Sequence, residues 1–254
     1  MVVHNSDGTT TARVALVTHA ASDIGVATVR ALARSGADLA LATDSEPDPH
    51  FMESLRSYGG RVVWFPMAQT STGIQASQLS RAVVSAFGRL DMLVANTVHR
   101  VEGQIDDEDV DDDAISDQMD ADMRSVIALI KAASKVMDDG GRVVALGSSL
   151  ADRIGTPGLA DFAAARAAIA AFCRGAAHDL GPRGITVNVV QIGAIESKPL
   201  QGISKEALAA DREANVLKRF GTPSEVAEAI MFLVGPGAAF ITGSILNVDG
   251  GYNA

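Results

Sequence analysis

Apolar residues follow two alternating patterns along the chain. Short runs that are apolar throughout predict strands at Val14–Thr18, Asp38–Thr43, Arg61–Phe65, Met92–Asn96, Arg142–Leu146, Thr186–Val190 and Ile245–Val248. Between them, apolar positions recurring every three to four residues predict helices at Ile24–Ser35, His50–Tyr58, Ile74–Phe87, Ala114–Met137, Asp161–Leu180 and Ser224–Val234. Strands with no polar face, separated by helices, predict an α/β fold with a doubly wound parallel sheet covered on both faces. No linker divides the chain, so residues 13–254 read as a single domain behind a disordered polar tail at residues 1–12. Residues 191–215 break the alternation after a late strand. Ligands bind beyond the carboxyl ends of such strands, so this insert reads as a substrate lid. A surface loop with one short helix near Ser204–Ala214 fits it equally well.

Charge narrows the partners. Lys and Arg number 21 against 31 Asp and Glu, giving a net charge of −10 that opposes nucleic-acid binding. Seven acidic residues fall in one run, Asp106–Asp113, interrupted only by Val110. The run lacks the spacing of a calcium loop and reads as a solvated lead-in to the following helix, where negative charge suits the positive end of the macrodipole. The single cysteine, Cys173, excludes an intrachain disulfide and fits a reducing, cytoplasmic setting. The amino-terminal residues carry no apolar leader, and no apolar run reaches membrane-spanning length. His19, His99, Asp122 and Glu196 follow strands or sit near their ends, a set that could do acid–base work or bind a metal. Their spacing does not demand either role, and no metal site is assigned.

Three segments carry a family likeness. They are Arg219–Gly251 (RFGTPSEVAEAIMFLV…FITGSILNVDGG), Leu180–Val190 (LGPRGITVNVV) and Gly88–Asn96 (GRLDMLVAN). Together with the strand order they resemble the short-chain dehydrogenase/reductase family over roughly residues 12 to 252. The resemblance implies a Rossmann-like fold, a nicotinamide dinucleotide and hydride-transfer chemistry.

Carried over position by position, the cofactor groove departs from the family. The glycine-rich phosphate loop becomes Thr18-His19-Ala20-Ala21-Ser22-Asp23-Ile24-Gly25, which keeps Thr18 and Gly25 but places His19 and Asp23 where the family has glycine. Asp23 reads as the cap of the first helix, as a carboxylate in the anion site, or as both. Asp44, 19 residues beyond Gly25, matches the acidic residue that accepts from the adenosine ribose and favours NAD. Ala68 stands where the family has an adenine-contacting Asp. The segment Ala95-Asn96-Thr97-Val98 keeps only Asn96 of the Asn-Asn-Ala-Gly motif, and Ile192-Gly193 keeps the Gly of Pro-Gly.

The catalytic positions are altered as well. Ser149 matches the carbonyl-polarising serine, while Phe162 replaces the tyrosine, Arg166 the lysine and Asp122 the asparagine. A phenyl ring has no proton to give, and a guanidinium effectively never releases one. The expectation is therefore a member that has lost redox chemistry and most dinucleotide binding, with no tightly bound cofactor, or NAD if any. It would act as a non-redox enzyme or a scaffold on an unknown small molecule. The alternative is an active NAD-dependent oxidoreductase on a small carbonyl or alcohol, recruiting Asp122, His99 or water as proton donor. Nine alanines in Asp161–Leu180, spread over several faces, predict a homo-oligomer, by family likeness a tetramer, or pairing with an active relative.

Overall fold

A computed structural model of the chain describes residues 2–4, 10–68, 72–96, 102–196 and 205–254. In the expected tail, β1 (Val2–His4) and β2 (Thr10–Ala12) pair antiparallel instead of leaving all twelve residues irregular. Seven further strands form one parallel sheet: β3 (Val14–Thr18), β4 (Asp38–Thr43), β5 (Val62–Pro66), β6 (Met92–Ala95), β7 (Arg142–Ser148), β8 (Thr186–Ile192) and β9 (Ile245–Val248). Their order is β5-β4-β3-β6-β7-β8-β9, the doubly wound α/β arrangement the pattern implies. β7 and β8 each run two residues past their expected ends, because Gly147 and Ser148 pair with Gln191 and Ile192. Pairing across the sheet, which no local pattern encodes, decides where those strands stop.

Helices cover both faces. On one, α1 (Asp23–Arg34), α2 (Pro49–Arg56) and α8 (Pro223–Val234) bury Val29, Leu32, Leu55 and Ile230 against Val17, Leu39, Leu41 and Val144. On the other, α3 (Gly73–Phe87) and α6 (Ala160–Leu180) bury Val83, Ile169 and Cys173 against Val143, Ala145, Val187 and Val189. Each fully buried Leu, Ile or Val side chain contributes about 1.5–3 kcal/mol relative to exposure.

The helix expected at Ala114–Met137 is broken in two. α4 (Asp112–Met119) and α5 (Ser125–Ser134) are joined by a π turn at Asp120–Arg124. Asp111 caps α4, its side chain accepting from Ala114 N at 3.0 Å, and Asp112 and Asp113 occupy the first turn as the dipole argument requires. Within the insert, α7 (Lys205–Ala214) supplies the short helix. Among the described residues no helix is long and apolar enough to cross a membrane.

Candidate functional site

The strand order reverses between β3 and β6, whose ends open a crevice at the carboxyl edge of the sheet. Its floor is stitched by hydrogen bonds. Thr18 Oγ1 donates to Asn96 O and accepts from Asn96 N, both at 2.9 Å. Asn96 Nδ2 in turn donates to Ser22 Oγ at 2.9 Å, and Ser22 Oγ accepts from Gly25 N at 3.1 Å. A buried donor left unpaired is costly, so this network fixes the loop against both strands.

The loop keeps a glycine-like course without its glycines. His19 takes φ 45°, the left-handed region that glycine visits freely. A β-carbon at Gly25 would stand 2.3 Å from His19 O, so no side chain fits there. The cap of α1 is Ser22 and not Asp23, because the Ser22 hydroxyl faces Gly25 N. Asp23 is the first helical residue and lines the cleft. Its charge suits the positive end of α1 but opposes an anionic ligand there.

The cleft has a volume of about 470 Å³. It brings together Asp23, Asn96, Ser149, Phe162, Arg166 and Gly193. Asp44 and Ala68 lie apart from that cleft, exposed beyond β4 and β5. Gly193 follows β8, where a β-carbon would stand 2.6 Å from Asp249 Cα. This glycine is therefore required by packing as well as by any ligand. Glu196 is exposed and His99 lies outside the described residues, so the group weighed for acid–base or metal chemistry is not assembled among the residues described.

Ser149 begins the turn that follows β7 and is 3% exposed. Its carbonyl accepts from Asn253 Nδ2 at 3.1 Å. Phe162 and Arg166 share one face of α6, one turn apart, with Arg166 Cζ 4.8 Å from the centre of the Phe162 ring. Arg166 Nη2 lies 3.0 Å from Asp122 Oδ2, and both side chains are buried. Burial lowers the Arg166 pKa from its ordinary value while the Asp122 charge and hydrogen bond oppose that shift. The guanidinium nevertheless stays charged. Asp122, inside the π turn, is thus a counter-ion and not the substitute proton donor that the sequence left open.

One residue of the cleft went unread in the sequence. Tyr252 lines it beside Ser149 and Phe162. Its signal was rarity: the chain has two tyrosines, and this one directly follows Gly250-Gly251, the end of the segment that carries the family likeness.

Comparison with known proteins agrees with this geometry. A family model described as enoyl-(acyl carrier protein) reductase matches residues 20–253. The chain is 34% identical over 243 residues to cis-4-hydroxycyclohexanecarboxylate dehydrogenase of Sinomonas cyclohexanicum, covering 95% of this chain and 97% of that one. A short-chain dehydrogenase from Burkholderia cenocepacia, solved in complex with NADP, superposes with a TM-score of 0.88 at 33% identity, covering 95% of this chain and 98% of that one. The 3-oxoacyl-[acyl-carrier protein] reductase from Brucella melitensis, in complex with NAD, gives 0.87 at 27% identity over 96% and 98% of the two chains. These matches overturn the expectation of lost redox chemistry and lost dinucleotide binding: the similar proteins are named dehydrogenases and reductases, and two of them hold the cofactor. The physical reason for the error lies in the loop. His19 stands where the family has glycine, yet it adopts the left-handed backbone itself, and the frame of the groove is kept.

Proposed function

The chain belongs to the short-chain dehydrogenase/reductase family, and from that premise we propose that it is an NAD-dependent oxidoreductase. It interconverts a small carbonyl compound and its alcohol, with a proton donor other than the family's tyrosine. The observation that carries this reading is the stitched floor: the Thr18–Asn96–Ser22–Gly25 network holds the dinucleotide loop in place and leads into a cleft walled by Ser149.

Apart from Asp23, the groove residues fit the dinucleotide. The backbone N–H groups of the loop ending at Gly25, at the amino end of α1, would hold the diphosphate. Asp44 would accept from the ribose hydroxyls, which is the ground for preferring NAD to NADP. When bound, NAD exchanges a hydride with the substrate carbon. The chain's own residues do the rest. Ser149, itself 3% exposed, offers a hydroxyl to polarise the carbonyl oxygen. Phe162 gives the reacting centre an apolar wall. Arg166, neutralised by Asp122 and stacked on Phe162, holds that wall in place. Ala210 and Ala214 of α7 line the cleft from the insert, which supports the lid reading and a compact substrate.

The reading extends to a homotetramer in the cytoplasm. Ala164, Ala167 and Ala171 form an exposed small-residue stripe on α6, suited to close approach of a second copy across a two-fold axis. The lone Cys173, buried and unbonded, supports a reducing setting. Calorimetric titration with NADH and NADPH, followed by turnover assays on short ketones and aldehydes, tests the function. Saturable binding favouring NADH, with turnover of at least one carbonyl, is expected. Failure of either dinucleotide to bind at millimolar concentration overturns it.

A further inference from the structure

We infer that Tyr252 is the general acid of this site, replacing the phenol that the family places where Phe162 stands. The inference rests on the oxidoreductase reading above. Carbonyl reduction leaves negative charge on oxygen and needs a proton donor within hydrogen-bond reach. The Ser149 alcohol is a far weaker acid than a phenol, Phe162 has no proton to give, and Asp122 and Arg166 are committed to each other. Tyr252 is the one remaining phenol in the cleft, since Tyr58 sits 49% exposed beyond the end of α2.

The structure builds a mount for it. Asp249 takes up the turn, its carboxylate accepting from Gly251 N at 2.9 Å and Asn253 N at 3.1 Å. Asn253 then clasps the carbonyl of Ser149, so Tyr252 and Ser149 are carried on one hydrogen-bonded unit. From the other side Arg153 donates to Tyr252 O and lies with its Cζ 4.9 Å from the centre of the Tyr252 ring. The phenol tip reaches the wall formed by the loop after Ser149. A β-carbon on Gly155 would stand 2.9 Å from Tyr252 Oη, so the absence of a side chain at Gly155 leaves room for the hydroxyl. That hydroxyl makes no hydrogen bond among the described residues, and the ring is half-buried in the cleft lining. It is placed to serve a substrate and to exchange with water.

The step balances. The carbonyl carbon gains a hydride from a reduced nicotinamide dinucleotide, and the π pair moves to oxygen. The oxygen takes the Tyr252 proton, and the phenolate regains one from solvent water. Oxidation runs the same path backwards.

The test compares wild type with Tyr252→Phe, which keeps the ring and its stack on Arg153. On a carbonyl that the wild type reduces, kcat should fall about 10²–10⁴-fold, while NADH affinity stays within twofold. An independent readout uses protein labelled with ¹³C at the tyrosine ring carbon bearing oxygen, which gives two signals, assigned with Tyr58→Phe. Adding the alcohol product should shift the Tyr252 signal and leave that of Tyr58 unmoved. A variant retaining more than one tenth of wild-type kcat, or an unmoved Tyr252 signal under saturating alcohol, overturns the inference and leaves the oxidoreductase reading standing. Wild type that binds no dinucleotide overturns the reading itself, and the inference with it.

Discussion

Arg166 Nη2 and Asp122 Oδ2 meet at 3.0 Å in the interior, one from α6 and the other from the π turn before α5. Read by the family likeness, each stands where a different catalytic residue is expected, and the two changes answer one another. A buried cation needs a buried anion, so a change at one place makes sense only with the change at the other.

Breaking that pair should be expensive. Asp122→Ala leaves an uncompensated buried guanidinium and should lower stability by about 3–5 kcal/mol, read from urea unfolding. The double variant Asp122→Leu with Arg166→Met should recover most of that loss, since apolar replacement of a whole pair is often close to neutral. If the double variant is no better than the single, the cost lies in packing and not in the stranded charge.

Asp23 should weaken the dinucleotide without abolishing it. Two like charges about 4 Å apart repel by about 1 kcal/mol in water and about 4 kcal/mol at an effective dielectric of 20. Asp23→Asn should therefore tighten NAD binding by about tenfold or more, measured by calorimetry. An unchanged Kd would mean that the diphosphate does not pass Asp23.

Asp44 should set the choice between dinucleotides. Asp44→Ala should weaken NAD while easing NADP, shifting the ratio of affinities by about tenfold, on the order of one lost charge-assisted hydrogen bond. A constant ratio would take the adenosine ribose away from this residue.

Glu225 offers a pH signature. The hydrogen bond from Arg219, then those from Thr222, hold its carboxyl pKa at about 2, below the ordinary 4.5. A lowered folded-state pKa contributes stability above the unfolded value and loses it as pH falls towards the folded one. Glu225→Gln should flatten the fall in stability between about pH 4.5 and pH 2, followed by thermal unfolding. Because the pair is exposed, high salt should shrink the same difference.

Cys173 reports on the core. Burial pushes its thiol pKa up to about 12, so little thiolate exists near neutral pH. Folded protein should be inert to a disulfide reagent at pH 8, and unfolding in urea should release one reactive thiol per chain. Rapid labelling without denaturant would show that α6 opens.

The strands were legible because burial on both faces leaves an unbroken apolar run, as in Val14–Thr18. The site divided differently. Ser149, Phe162 and Arg166 came from the family likeness, carried over position by position onto the end of one strand and one helix. The ion pair joining Arg166 of α6 to Asp122 of the π turn crosses between two elements, and no periodicity encodes it. His19 misled because a residue's name does not state its φ. Tyr252 was missed because its nearness to Ser149 depends on Asn253 reaching across 104 residues of chain.

The π turn at Asp120–Arg124 also has a history written into its geometry. Such a turn holds one residue more than an α-helix needs for the same advance. Excising a single residue there would let α4 and α5 fuse into one regular helix with the flanking turns left in place, because the π turn absorbs the extra residue locally. The surplus is thus a local bulge, confined to the turn that carries the carboxylate of Asp122. In an alignment with straight-helix relatives, this segment should show a gap of one.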